Sequence, residues 1–299
     1  MYSPRRHTMR HLLRLAAGVL VLGVGGLLLS PLSRSLRDAE ERADLHSGMP
    51  LLSTGGGDAL VEQLFFFTLG GLRSLAAEIL VLDATSAWIA RDWPRAERRW
   101  QMITSLCPGR PNYWINASRD MAINAAAHAA NDPTLNTHEQ AMLAARYIRR
   151  GEQFLHDGIA HHPQSALLYM NLGDLYANQN RHPSYTRAAA AYHRAVELGA
   201  SPLYRRLEFY CLSRIRGREQ EAWQLGRQLF AEGHSQRVPS LKCLLFVLQQ
   251  RIQVPPAERL SPEQIFGSAA QARRELSRFE RNQLRFPVTG IRRYLSGAE

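Results

Sequence analysis

The stretch MNLGDLYANQ, Met170–Gln179, decides how this chain is read. Leu172, Leu175 and Tyr176 recur at helical spacing, and the flanks show no strand alternation. Gly173 nevertheless stands inside the pattern, where glycine costs about 1 kcal/mol relative to alanine. A helix tolerates that loss where a neighbouring element comes too close to admit a Cβ. The next helical stretch, YTRAAAAYHRAVELGASP from Tyr185, supplies such a neighbour. Ala188, Tyr192 and Ala195 share one of its faces, and the two alanines keep that surface low. Gly173 is therefore expected where two packed helices cross, with dense packing offsetting its weak propensity.

The same frame recurs along the chain. Downstream, YRRLEFYCLSRIRGREQEAWQLGRQLF places Gly217, Glu219, Ala222 and Leu229, and Ala222 lies 34 residues beyond Ala188. Upstream, EILVLDATSAWIARDWPRAERRWQMITSLCPGRP places Ala84 and Ala87 in a first helix. Trp93, Ala96, Trp100, Ile103 and Pro108 follow at the spacing of a second. Between these lies NYWINASRDMAINAAAHA, then an insertion NDPTLNTHEQ. The partner helix QAMLAARYIRRGEQFLHDGIAHHP ends at Pro163. A fifth, degenerate pair is PSLKCLLFVLQQRI with SPEQIFGSAAQARRELSRFERNQLRF, joined by QVPPAERL. In it Ser261, Pro262 and Glu263 read as N-cap, first-turn proline and first-turn acid.

A 34-residue period carrying Leu172-Gly173, Tyr176, Ala188, Tyr192 and Ala195 resembles the tetratricopeptide repeat. The resemblance covers residues 75–235, closest in the third repeat and loosest in the second. It implies an all-α fold, a right-handed superhelix of helical pairs (an α-solenoid), behind one N-terminal transmembrane helix; a generic helical bundle is the alternative. LGGLRSLAAEILVLDA followed by WQMITSLCPGRPNYWINASRDMAINAA is similar to bacterial membrane-anchored proteins of this repeat class. Leu72 stands where those carry an aromatic residue.

Such stacks bind through their concave face. The resemblance assigns that face to fixed first-helix positions. In the third repeat these are Leu167, Met170, Asp174, Ala177 and Asn178. In the fourth they are Tyr204, Leu207, Cys211, Arg214 and Ile215, and in the second Ile115, Arg119, Ala122 and Ile123. The fifth position is apolar throughout, being Val81, Ile115, Met170 and Leu207. A clamp for a partner's C-terminal carboxylates is therefore not expected. An apolar groove with a few polar anchors suits an amphipathic helix or extended peptide.

The chain has 299 residues, a formal net charge of +11 and 45% apolar residues, enough to bury a sizeable core. Of 37 basic residues only Lys242 is lysine, a skew that fits an arginine-favouring genome better than selection for nucleic acid. It stays compatible with an acidic partner or an anionic lipid surface. Cys107, Cys211 and Cys243 are too few for a disulfide framework. One bridge is possible, and three small buried side chains are the expectation.

Residues 1–11 are basic, and Leu15–Leu29 carry no polar side chain. Residues 12–32 are long enough to span a bilayer core, and no A-x-A cleavage site stands nearby. An uncleaved anchor is expected. Arg5, Arg6, Arg10 and Arg14 precede the run, against Arg34 and Arg37 soon after it. That asymmetry places the N-terminus in the cytoplasm and exports the bulk, making a single-pass protein of the plasma (inner) membrane. LFFFTLGGL, Leu64–Leu72, is too short to cross and reads as a buried helix segment. Residues 33–59 read as a flexible linker ending in Gly55-Gly56-Gly57. Asp58 and Ala59 follow where a phosphate loop needs Lys and Ser or Thr. Helical repeats then occupy 60–235, and the degenerate pair with a basic tail 236–299.

Motifs for chemistry are sparse. H-E-x-x-H, C-x-x-C and G-x-S-x-G do not occur. His161-His162 fall at a helix end, where imidazoles meet terminal carbonyls. With His156 they form no metal set, since no acid or thiol completes it. Trp88, Trp93, Trp100 and Trp114 are expected in core or inter-repeat packing. Seven arginines lie between Arg273 and Arg293 against Glu275 and Glu280. They form a solvated helix face or a landing strip for anionic lipid or an acidic partner. FPVTGIRRYL, beyond the last long helix, is expected to pack back as a cap. The expectation is a non-catalytic, membrane-anchored scaffold or adaptor in an envelope-associated complex. It holds a protein or peptide in its groove and uses no cofactor or metal. The alternatives are an enzyme built on Asp174, Arg119 and Arg214, or an arginine-driven binder of nucleic acid or anionic lipid. Nucleic acid is the less expected ligand, and the oligomeric state stays open.

Overall fold

The computed structural model describes residues 58–178, 183–282 and 289–297, with side chains over 72–178, 183–281 and 291–297. The expected anchor at 12–32 and nearly all of the linker at 33–59 lie outside the described residues. Among the described residues the fold is all-α, with no strand. None of these helices is long and apolar enough to cross a membrane.

The helices follow in pairs. α1 (Asp58–Ile89) packs on α2 (Trp93–Leu106). α3 (Pro111–Arg119), a π-helical segment (Asp120–Ala125) and α4 (Ala126–Ala130) all pack on α5 (Thr137–His161). α6 (Ala166–Ala177) packs on α7 (Tyr185–Glu197), and α8 (Pro202–Leu212) on α9 (Glu219–Ala231). α10 (Pro239–Arg251) meets α11 (Pro262–Phe266), α12 (Ala269–Asn282) and α13 (Thr289–Ser296). Each pair touches the next, α2 on α3, α5 on α6, α7 on α8 and α9 on α10. First helices meet directly as well, α3 on α6 and α8 on α10.

The boundaries have local causes. Asp92 caps α2, its carboxylate accepting from the Arg95 amide at 3.1 Å, and Pro94 occupies the first turn. A capping box the sequence reading overlooked starts α5. The Asn136 side chain accepts from the Glu139 amide at 3.0 Å, and Glu139 accepts from the Asn136 amide at 2.9 Å. The helix therefore begins inside what reads as an insertion. Ser261 caps α11 as expected, accepting from the Gln264 amide at 3.2 Å. Gly267, at φ +91°, then stops that helix after five residues, so the last pair's second helix is broken. α1 is much longer than its repeat-like portion, running 32 residues.

The repeat positions form the core. Ala84, Ala96, Ala188, Ala195 and Ala222 are wholly buried, and Trp93, Trp100, Tyr176 and Tyr192 nearly so. Pro108 follows the end of α2. Its carbonyl accepts from Trp114 Nε1 at 2.9 Å and from His162 Nε2 at 2.8 Å, fastening the α2–α3 turn to the end of α5. That acceptor requires the Nε2–H form of His162. His161 instead stacks on Trp114 at 5.4 Å. Trp88 departs from expectation: it lies 43% exposed at the end of α1, clear of the packing.

A Cβ at Gly173 would lie 2.4 Å from Tyr192 Cε1 and 2.5 Å from Cδ1. The glycine does serve a helix crossing, but its nearest neighbour is an aromatic ring and not the flanking alanines. Gly226 on α9 repeats the device in reverse: a Cβ there would lie 2.7 Å from the Phe209 ring of α8. All three cysteines are free, and Cys211 and Cys243 are buried. Burial pushes the thiols of both to about 12. The C-terminal segment packs back: Ile291 is wholly buried, and Tyr294 meets Phe246 at 5.3 Å.

Candidate functional site

The first helices carry the predicted binding positions. Ile115, Met170 and Leu207 are half-buried, and Ile115 and Leu207 pack against the core. Val81, at the same position in the first pair, is half-buried too. Leu167 and Ile123 are exposed, at 41% and 43%. Two predicted positions face inward instead. Ala122 is wholly buried, with its Cβ 2.5 Å from where a side chain at Gly151 would begin, and Cys211 is buried within α8. The π-helical turn that contains Ala122 gives no warning in sequence. It shifts the register of this helix by one residue per turn, so positions counted at 3.6 residues drift off the expected face.

Polar anchors cluster where α6, α7 and α8 meet. Tyr192 on α7 donates its hydroxyl to Asp174 on α6 at 2.8 Å, and its ring lies 5.9 Å from that of Tyr204 on α8. Asp174 is an exposed residue whose carboxyl is tied inward to Tyr192. Burial of its carboxyl raises the pKa above the usual carboxylate range, with the Tyr192 hydrogen bond pulling the other way. Burial raises the Tyr192 phenol as well, and the nearby Asp174 charge adds to it. Tyr204 is shifted upward by burial and by the same carboxylate. Arg214 donates to the Tyr210 carbonyl at 2.6 Å and lies over the Tyr185 ring at 5.6 Å. Asn178, half-buried, closes α6 as its C-cap.

Arg119 stands apart, donating to Asn116 at 2.7 Å on its own helix. Asp174 thus meets Tyr192, Arg119 meets Asn116, and Arg214 meets the Tyr210 carbonyl. A cleft of about 630 Å³ lies elsewhere, lined by Trp223, Arg227, Arg259, Leu260 and Gln264 among others, and takes in none of the three.

Further polar ties brace the inter-helix surfaces. Tyr176 donates to Glu152 at 3.0 Å and meets His156 Nε2 at 3.0 Å, while the Arg187 guanidinium contacts both Tyr176 and Glu152. Trp100 Nε1 donates to Asp120 at 2.8 Å, and burial raises that carboxyl. Arg95 and Arg99 both grip Asp83, holding its carboxyl below the usual range. These pairs join residues 11 to 35 positions apart and fall on no motif. Only the aromatic and acidic residue types hint at them. No protein-family model matches the chain, and no curated protein is significantly similar to it.

Proposed function

We propose that this chain is a membrane-anchored, tetratricopeptide-like helical repeat protein whose first-helix face holds a protein or peptide partner, as a non-catalytic scaffold in an envelope-associated complex. One observation carries the reading. Successive helix pairs are closed by glycine-to-ring contacts, Gly173 on Tyr192 and Gly226 on Phe209, and each pair touches the next. Pairs joined in this way stack into a superhelical solenoid with a continuous inner face. That face offers half-buried apolar residues (Ile115, Met170, Leu207) beside the Asp174–Tyr192–Tyr204 cluster, the composition of a peptide-binding groove. The apolar run at 12–32 supplies the anchor, and the arginine bias before it sets the N-terminus in the cytoplasm.

Two measurements test this. A photo-crosslinking amino acid at Met170 or Leu207 should capture a partner in envelope fractions, whereas one at exposed Gln224 on a second helix should not. Equal capture from both faces would remove the groove. Protease added to spheroplasts should digest the repeat domain. Survival of that domain until the membrane is breached would reverse the topology.

A further inference from the structure

The last helices carry a charge pattern that a protein-binding groove leaves unused. α12 buries Ala272, Leu276 and Phe279, and exposes Arg273, Arg274, Arg278 and Arg281. At 3.6 residues per turn, Arg274, Arg278 and Arg281 fall on one stripe at i, i+4 and i+7, opposite the buried trio. The acids of this region are already engaged. Glu275 accepts from Gln271 at 2.9 Å and faces Lys242 at 3.9 Å, and Glu280 accepts from Arg292 Nε at 2.6 Å. Among the described residues no carboxylate lies within ion-pair distance of Arg273, Arg274, Arg278, Arg281 or Arg293. Like charges at i and i+4 repel, so the stripe stands against its own field until an anion meets it.

We propose that the arginine stripe of α12, extended by Arg293 on α13, binds the phosphate-bearing surface of an anionic bilayer. Charge complementarity selects an anion, and two observations favour lipid over nucleic acid. Phe279, the one aromatic of α12, is buried, so the stripe offers no exposed ring on which a base can stack. The same chain carries the 20-residue-scale apolar run at 12–32, which brings a bilayer within reach. That second point rests on the anchor proposed above. Each basic residue held near an anionic surface strengthens attachment roughly five-fold, so the three-residue stripe is worth on the order of a hundred-fold.

The test is arginine footprinting of the full chain with phenylglyoxal, read by mass spectrometry. The chain is presented to phosphatidylcholine vesicles or to vesicles containing phosphatidylglycerol. Modification of Arg274, Arg278 and Arg281 should slow at least about five-fold with phosphatidylglycerol. Exposed Arg98 on α2 should be unaffected, and high salt should erase the difference. The variant R274E/R278E/R281E, checked for unchanged helix content, should lose phosphatidylglycerol-dependent protection of Arg273 and Arg293. Equal rates with both lipids overturn the proposal. Protection by a single-stranded oligonucleotide but not by phosphatidylglycerol also overturns it and assigns the face to nucleic acid. Flotation with phosphatidylcholine vesicles reports on the anchor separately, so its failure leaves the stripe's response to phosphatidylglycerol still readable.

Discussion

Replacing Gly173 with alanine sets two terms against each other. Alanine gains about 1 kcal/mol of helix propensity. Its Cβ, however, would lie 2.4 and 2.5 Å from two carbons of the Tyr192 ring, against an ordinary carbon–carbon contact of about 3.5–4.0 Å. The ring cannot simply step aside. Tyr192 is 2% exposed, its hydroxyl is bound to Asp174 at 2.8 Å, and Tyr204 packs beside it at 5.9 Å. Overpacking of this kind costs about 1–3 kcal/mol, and a ring forced off Asp174 forfeits about another 1.5 kcal/mol. The net expectation for Gly173→Ala is a loss of about 1.5–3.5 kcal/mol, or roughly 4–11 °C in Tm for a domain of this size. Urea titration and thermal melting of the full chain by far-UV circular dichroism measure it. The same substitution in a Tyr192→Ala background, where the ring is gone, should become neutral or stabilising. A Gly173→Ala chain more stable than the parent would refute the crossing as the reason for the glycine.

Other outcomes follow from the same contacts. Gly226→Ala should cost less, about 1–2 kcal/mol, because its Cβ meets Phe209 at 2.7 Å and a movable Leu245 methyl at 3.3 Å. Asp174 has a folded pKa raised above its unfolded value of about 3.9. Its contribution is therefore fully present below that value and is lost as pH rises through the folded one. Asp174→Asn still accepts from Tyr192, so it should flatten the stability–pH profile above pH ~4 and match or exceed the parent at neutral pH. Urea midpoints across that range decide it. Trp100→Phe removes the indole donor to Asp120, so it should cost about 1.5–3 kcal/mol and push the Asp120 carboxyl further up, a shift visible by NMR titration. Native alkylation should reach half-buried Cys107 well before Cys211 and Cys243, whose thiols stand near 12. Labelling of all three at one rate would contradict that burial.

Local signals made the repeats legible. A glycine inside a helical pattern, alanines at i and i+7 around Tyr192, and prolines after the turns mark which residues face a neighbouring helix. Each works over a few residues, within reach of simple periodicity. The π-helical turn at Asp120–Ala125 was not legible, because one extra residue in a turn leaves the composition unchanged and moves every later side chain. The inward position of Ala122 is the result. The start of α5 was misplaced for the opposite reason: Asn136 and Glu139 do spell a capping box, but inside a stretch rich in loop formers.

By itself the sequence determined the all-helical class, the pairing of helices and which small residues lie at their crossings, because periodicity and propensity act along the chain. Only the tertiary structure decided what meets those residues. The Tyr192 ring lies on Gly173, and Asp174, Tyr192 and Tyr204 gather from three helices. Trp88 is left outside the core, and among the described residues no acid pairs with the α12 arginines. Contacts between residues tens of positions apart depend on how closely whole helices approach and at what register, and one residue's spacing along the chain does not encode that.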